Sequence, residues 1–116
     1  MSEEIRRLKR RKTDQLISVV DTMTQKPMGL VADLSESGMM LISNSPITQD
    51  ALYQCELIFP RHLGIQAPIK AGIQELWSDS ENHQGQNVVG FRFVDINNED
   101  RMQIREWVNE PGSIYT

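Results

Sequence analysis

The chain has 116 residues, enough for one domain, and its 39% hydrophobic and 24% charged residues are typical of a soluble globular protein. No segment approaches the ~20 consecutive apolar residues of a membrane-spanning helix, and no apolar stretch follows the charged N-terminus as in a secretory signal. The formal net charge of −4 is unevenly distributed, because residues 1–12 carry +4 and the rest of the chain carries −8.

The cysteine and histidine content excludes two classes of site. The single Cys55 cannot form an internal disulfide, which predicts a reducing, cytoplasmic compartment. One cysteine with His62 and His83 cannot supply a zinc site of the usual spacing. Cys55 lies inside an apolar, strand-like segment, which argues against a catalytic Cys–His pair. We therefore expect no catalytic residues, no metal site and no enzymatic activity.

Residues 1–12 form a basic N-terminal arm ahead of a domain over residues 13–116. Residues 3–12 could form a short basic helix, but a ten-residue helix without tertiary support is marginal in water. We therefore expect the arm to be mobile. Its cations are Arg6, Arg7, Lys9, Arg10, Arg11 and Lys12.

Short apolar and alternating segments separated by polar turns predict six strands. These strands cover residues 16–23, 28–34, 39–43, 52–59, 69–77 and 88–94. In the fourth strand, one alternating set is entirely apolar and is expected to face the core: Tyr53, Cys55, Leu57 and Phe59.

The pattern changes to a helical period after residue 96. Asn97 or Asn98 can cap a helix that carries its apolar stripe at Ile104, Trp107 and Val108. The sequence therefore predicts a mainly β protein, a six-stranded antiparallel β-barrel with a C-terminal α-helix.

Two motifs carry the functional signal. Clustered arginines can bind phosphates and stack on bases, since the guanidinium is planar and always charged; a solubilising tail is the alternative interpretation. The second motif is the turn Asp33-Leu34-Ser35-Glu36-Ser37-Gly38. Asp and Ser favour turns by bonding to nearby backbone, and Gly38 allows a positive φ or a close backbone approach.

Together, Arg6-Arg7-Leu8-Lys9-Arg10 and the turn at residues 33–38 resemble the PilZ domain family, which has RxxxR before the first strand and [DN]xSxxG between the second and third. The resemblance covers roughly residues 5–110. It implies a six-stranded barrel that binds the bacterial second messenger cyclic di-GMP (c-di-GMP). In the family, the arginines clamp phosphates and guanine faces, and the Asp and Ser of the turn bind a guanine. By position, these turn roles belong to Asp33, Ser35 and Gly38.

The RxxxR motif fits in two registers. Arg6 and Arg10 define the preferred one, because it puts Leu8 where the family often has an apolar or aromatic residue. Arg7 and Arg11 define the alternative, in which Arg6 would be a third guanidinium able to stack a second, intercalated ligand molecule. The preferred register implies one ligand per site.

Trp77 is a further candidate, because it ends a strand where similar domains carry aromatic residues. Its ring could stack on a guanine or pack under the loop over residues 78–86. Trp107 lies on the helix stripe and is expected in the core.

The leading hypothesis is a c-di-GMP receptor or adaptor whose Arg arm becomes ordered on ligand binding and signals to a partner protein. One alternative is a nucleic-acid-binding barrel that uses the basic arm, although the −8 charge of the rest of the chain argues against binding of a long nucleic acid. The other is a PilZ-like protein-interaction domain that binds no ligand.

Overall fold

The computed structural model describes residues 9–43, 47–65, 67–80 and 86–116. Arg6 and Arg7 therefore lie outside the described residues. The strands are β1 Arg11–Lys12, β2 Ser18–Asp21, β3 Lys26–Leu34, β4 Gly38–Ser43, β5 Leu52–Ile58, β6 Ile69–Asp79 and β7 Asn87–Asp95. A 3-10 helix covers Arg61–Leu63 and the helix α1 covers Asn98–Val108.

The six longer strands close into one antiparallel barrel in the order β2-β3-β4-β7-β6-β5, and β5 pairs back with β2. This arrangement confirms the predicted six-stranded barrel with one C-terminal helix. The short strand β1 pairs with the C-terminal end of β3, beyond the part of β3 that pairs with β2. The last two residues of the arm are therefore held in a strand, and the prediction of a mobile arm is wrong for them.

Strand alternation places one side-chain set inside the barrel. Cys55, Leu57 and Phe59 are buried as predicted, and Tyr53 is partly buried with its ring edge-on to Phe91. The first predicted strand is shorter than expected. Residues 22–25 form a turn instead, since the Asp21 carboxylate accepts the backbone N–H of Met23 at 2.8 Å.

Helix α1 completes the core. Asn97 caps its N-terminus by accepting the backbone N–H of Asp100 at 2.8 Å, as the sequence predicts. Ile104, Trp107 and Val108 are at most 3% exposed and belong to the barrel core. The helical stripe therefore joins the helix to the inside of the barrel.

No helix in the described part of the chain is long and apolar enough to cross a membrane.

Cys55 is a structural thiol. Its pKa is raised from an ordinary value of 9.0 to about 12, first by burial and then by the charges of Asp21 and Glu56. The thiol is therefore protonated at neutral pH and is a poor nucleophile.

The raised pKa predicts a loss of stability at alkaline pH. An unfolded thiol ionises near pH 9 and the folded one near pH 12, so stability falls across that window, by up to about 1.4 kcal/mol per pH unit. Urea denaturation at pH 8, 10 and 11 should show that the free energy of unfolding falls more steeply with pH for the wild type than for Cys55→Ala. Equal slopes for the two proteins would contradict the assignment.

Candidate functional site

The two sequence motifs meet at Arg10 and Asp33. Pairing of β1 with β3 sets Lys12 opposite Asp33, and the Nε of Arg10 donates to Oδ1 of Asp33 at 3.0 Å. The Asp33 side chain is only 6% exposed, whereas that of Arg10 is 38% exposed. A buried carboxylate therefore lies behind an accessible cation that offsets its desolvation cost.

Ser35 holds the turn that follows Asp33. Its backbone N–H donates to the carbonyl of Gly38 at 2.9 Å, and its Oγ accepts the N–H of Ser37 at 3.2 Å. Ser35 is fully buried. These local bonds are the ones that favour Ser at such a turn.

Gly38 lies against β7 too closely for any side chain. A Cβ at this position would be 2.2 Å from the carbonyl oxygen of Phe91. The backbone N–H of Phe93 also donates to the Ser37 carbonyl at 2.8 Å. The turn is therefore fixed to β7 by backbone contact, and close approach is what requires glycine here.

A bidentate ion pair joins the same turn to α1. The Nε and Nη2 of Arg105 donate to the two carboxylate oxygens of Glu36, each at 3.0 Å. The hydrogen bond with Glu36 raises the pKa of Arg105 above its ordinary value. Sequence reasoning missed this pair, because the two residues are 69 positions apart and neither belongs to a recognisable motif.

A row of cross-strand neighbours runs from Asp33 to Trp77. Asp33 is opposite Met40, Met40 is opposite Gly90, and Gly90 is opposite Trp77. Cross-strand neighbours project from the same face of a sheet. Met40 lies between the buried Met39 and Leu41, so the row is on the outside of the barrel. Three strand spacings of about 4.8 Å separate its ends, roughly 14 Å.

Trp77 lies on the outer surface with its indole against Gly90. A Cβ on Gly90 would meet Nε1 and Cε2 of Trp77 at 2.3 and 2.4 Å, and 46% of Trp77 remains exposed. Because glycine has no side chain, Gly90 leaves room for the indole to lie close to the sheet. Trp77 keeps a solvent-accessible aromatic surface in the same row as Asp33.

Arg11, the second arginine of the alternative RxxxR register, points to α1. Its Nη1 donates to the Trp107 carbonyl and to Oε1 of Glu110, the latter at 3.1 Å, and its guanidinium lies 4.2 Å from the Trp107 ring centroid. The structure therefore brings Arg10, Asp33, Ser35 and Gly38 together and engages Arg11 elsewhere. Arg6 and Arg7 lie outside the described residues.

The described residues contain no group of three or more His, Cys, Asp or Glu side chains that could hold a metal ion.

Comparisons with known proteins agree with this fold. A family model described as PilZ domain matches residues 4–110. The fold is similar to a structure of the Bacillus subtilis inhibitor of motility MotI (DgrA), with a TM-score of 0.71 and 12% identity over 86% of this chain. The match spans 47% of the MotI chain, so this protein corresponds to about half of that one.

The fold is also similar to the PilZ domain of Escherichia coli YcgR with c-di-GMP, with a TM-score of 0.65 and 13% identity over 85% of each chain. No curated protein sequence matches this chain.

The contact between Gly38 and β7 predicts a destabilised Gly38→Ala variant. The added methyl must push apart two paired backbones, which costs roughly 1–3 kcal/mol. Urea denaturation should show a lower midpoint for Gly38→Ala. The neighbouring Ser37→Ala, at an exposed position, removes the 3.1 Å contact between the Ser37 and Ser35 hydroxyls and should lower the midpoint less. Similar midpoints for the two variants would contradict this account.

Proposed function

The chain belongs to the PilZ domain family, and we propose that it is a receptor for cyclic di-GMP rather than an enzyme. The observation that carries this proposal is the meeting of the two family motifs in space, where Arg10 lies 3.0 Å from Asp33. The YcgR PilZ domain, whose solved structure is described as containing c-di-GMP, has the same fold and supports the choice of ligand.

The ligand offers groups that complement this site. A guanine edge presents an N–H donor on N2 and acceptors at O6 and N7. In the proposed complex, the Asp33 carboxylate accepts guanine N–H groups, while the Arg10 guanidinium binds a phosphate or the O6 and N7 acceptors. Ser35 and Gly38 fix the turn that presents Asp33. We propose that Arg6 and Arg7 supply further guanidinium groups from the arm.

Trp77 is proposed to stack on a guanine at the far end of the row. Its exposed indole lies on the same outer face as Asp33, three strands away. A ligand with two bases is long enough to contact both ends, and base–aromatic stacking contributes about 1–3 kcal/mol per base. We propose the preferred register, with one ligand per site, because Arg11 is already bound to α1.

Signalling is proposed to pass to a partner protein in the cytoplasm. A dianionic ligand attracts the +4 arm and draws Arg6 and Arg7 to the site beside Arg10, which changes the surface that a partner contacts. The −8 charge of the remaining chain repels long polyanions. The charge distribution thus favours a small dianion over DNA or RNA.

Isothermal titration calorimetry with c-di-GMP tests the site. Arg10→Ala and Asp33→Asn should each weaken binding by about 10- to 100-fold, since a hydrogen bond to a charged group contributes about 1.5–3 kcal/mol. Arg61→Ala is the matched control, because it removes the same charge from an exposed position in the 3-10 helix. Binding should weaken as NaCl is raised, because the Arg10 side chain is 38% exposed and its charge is screened by salt.

Two outcomes would overturn the proposal. The first is an absence of binding heat at high micromolar wild-type protein. The second is tight oligonucleotide binding that c-di-GMP fails to displace, which would favour the nucleic-acid alternative.

Tryptophan fluorescence tests the role of Trp77 separately. Stacking of a guanine on the exposed indole should change its emission on titration with c-di-GMP, whereas the buried Trp107 cannot contact a base and should give the smaller change. The change should disappear in Trp77→Phe and persist in Trp107→Phe. A signal that survives Trp77→Phe would place the base elsewhere.

A further inference from the structure

The arm strand is paired on both of its edges. On one edge it pairs with β3, where Arg11 is opposite Leu34. On the other edge the C-terminal residues 114–116, here called the tail, run antiparallel to it. Arg11 forms a bridge with Tyr115, Lys12 N–H donates to the Ile114 carbonyl at 2.8 Å, and Thr116 N–H donates to the Arg10 carbonyl at 3.0 Å. The residue that contacts Asp33 is therefore hydrogen-bonded directly to the tail.

Side chains tie the tail to α1 and to the arm. The Tyr115 hydroxyl donates to the Val108 carbonyl at 2.8 Å, and the Lys9 ammonium lies 5.2 Å from the Tyr115 ring centroid. Arm, tail and the C-terminal turn of α1 thus form a single contact network.

Arg11 is the central connection in this network. Only 16% of its side chain is exposed, and its guanidinium covers the Trp107 ring while donating to the Trp107 carbonyl and Glu110. A partly desolvated cation on an indole face is a favourable contact. Successive side chains of an extended segment point in opposite directions, so Arg11 faces α1 where Arg10 faces Asp33.

We propose that Arg11 is a positioning residue that sets the arm for ligand binding, and that the tail responds when the site is occupied. The proposal rests on the proposed function, since it concerns the same Arg10. Arg10 reaches Asp33 only while residues 10–12 keep their place between β3 and the tail. Any ligand that stabilises Arg10 in that place stabilises the tail pairing too, because coupling between two sites is reciprocal.

The tail also exposes apolar surface. Ile114 is 67% exposed and Tyr115 is 40% exposed. A change in the order of the tail therefore changes how far these two apolar side chains are exposed.

Calorimetry tests the positioning role. Arg11→Ala should weaken c-di-GMP binding at least fivefold, and Arg11→Lys should recover part of the loss, because Lys keeps the charge for Glu110 but not the planar group on Trp107. Ile104→Val is the matched control. It destabilises the same helix from inside the core, so it should lower the unfolding midpoint without changing affinity. Equal affinity losses in Arg11→Ala and Ile104→Val would overturn the positioning role.

Nuclear magnetic resonance tests the tail. Titration with c-di-GMP should shift the amide signals of Ile114 and Tyr115 and slow the hydrogen exchange of Lys12. Thr116→Pro removes the N–H that bonds to Arg10 and should reduce both responses, whereas Thr116→Ala keeps that N–H and should not. Amide signals of the tail that do not shift at saturating c-di-GMP would overturn the coupling.

Failure of this inference is distinguishable from failure of the proposed function. Suppose that the wild type binds c-di-GMP, the Arg11 variants bind with unchanged affinity and the tail signals do not shift. The coupling is then wrong and the receptor assignment stands. If the wild type does not bind, the receptor assignment fails. The pairing of arm and tail is still tested in ligand-free protein, where Thr116→Pro should speed the exchange of the Lys12 amide.

Discussion

Helix α1 is the element on which the candidate site depends, because it holds both of the segments that build it. Arg105 binds Glu36 of the turn, while the Trp107 carbonyl and Glu110 bind Arg11 of the arm. The helix is itself fixed by its buried stripe in the barrel core. Arg10 and Asp33 are 23 residues apart in the sequence. They meet because α1 contacts the segment that carries each of them.

The Arg10–Asp33 pair also defines what a ligand must supply. A carboxylate that is 6% exposed is costly to bury without a partner, and Arg10 fills that role. A ligand that takes Arg10 for its phosphates must give Asp33 other donors. Guanine N–H groups satisfy the carboxylate, whereas an anion without a hydrogen-bond donor, such as sulfate, does not. The proposed site would thus favour an anion that carries its own hydrogen-bond donors.

The sequence was informative where the signal is local. Alternation located all six barrel strands, and Asn97 marked the start of the helix. Long-range contacts had no such signal. Arg11 was grouped with the other arm cations because its contacts with Trp107 and Glu110 lie almost a hundred positions away. The place of Trp77 beside Gly90 likewise depends on a register shift between Glu75 and Trp77, which no propensity reveals.

The same distinction between local and long-range contacts indicates where a signal can travel. The barrel is closed and close-packed, so its strands cannot shift register without breaking many hydrogen bonds at once. The arm is different, because β1 has two residues and its pairing with the tail consists of two backbone hydrogen bonds, one on each side of the Arg11–Tyr115 bridge. Segments with few bonds open at low free energy, and their populations respond to weak ligands. In the proposed receptor, occupancy of the site would therefore be transmitted through the arm and the tail rather than through the barrel.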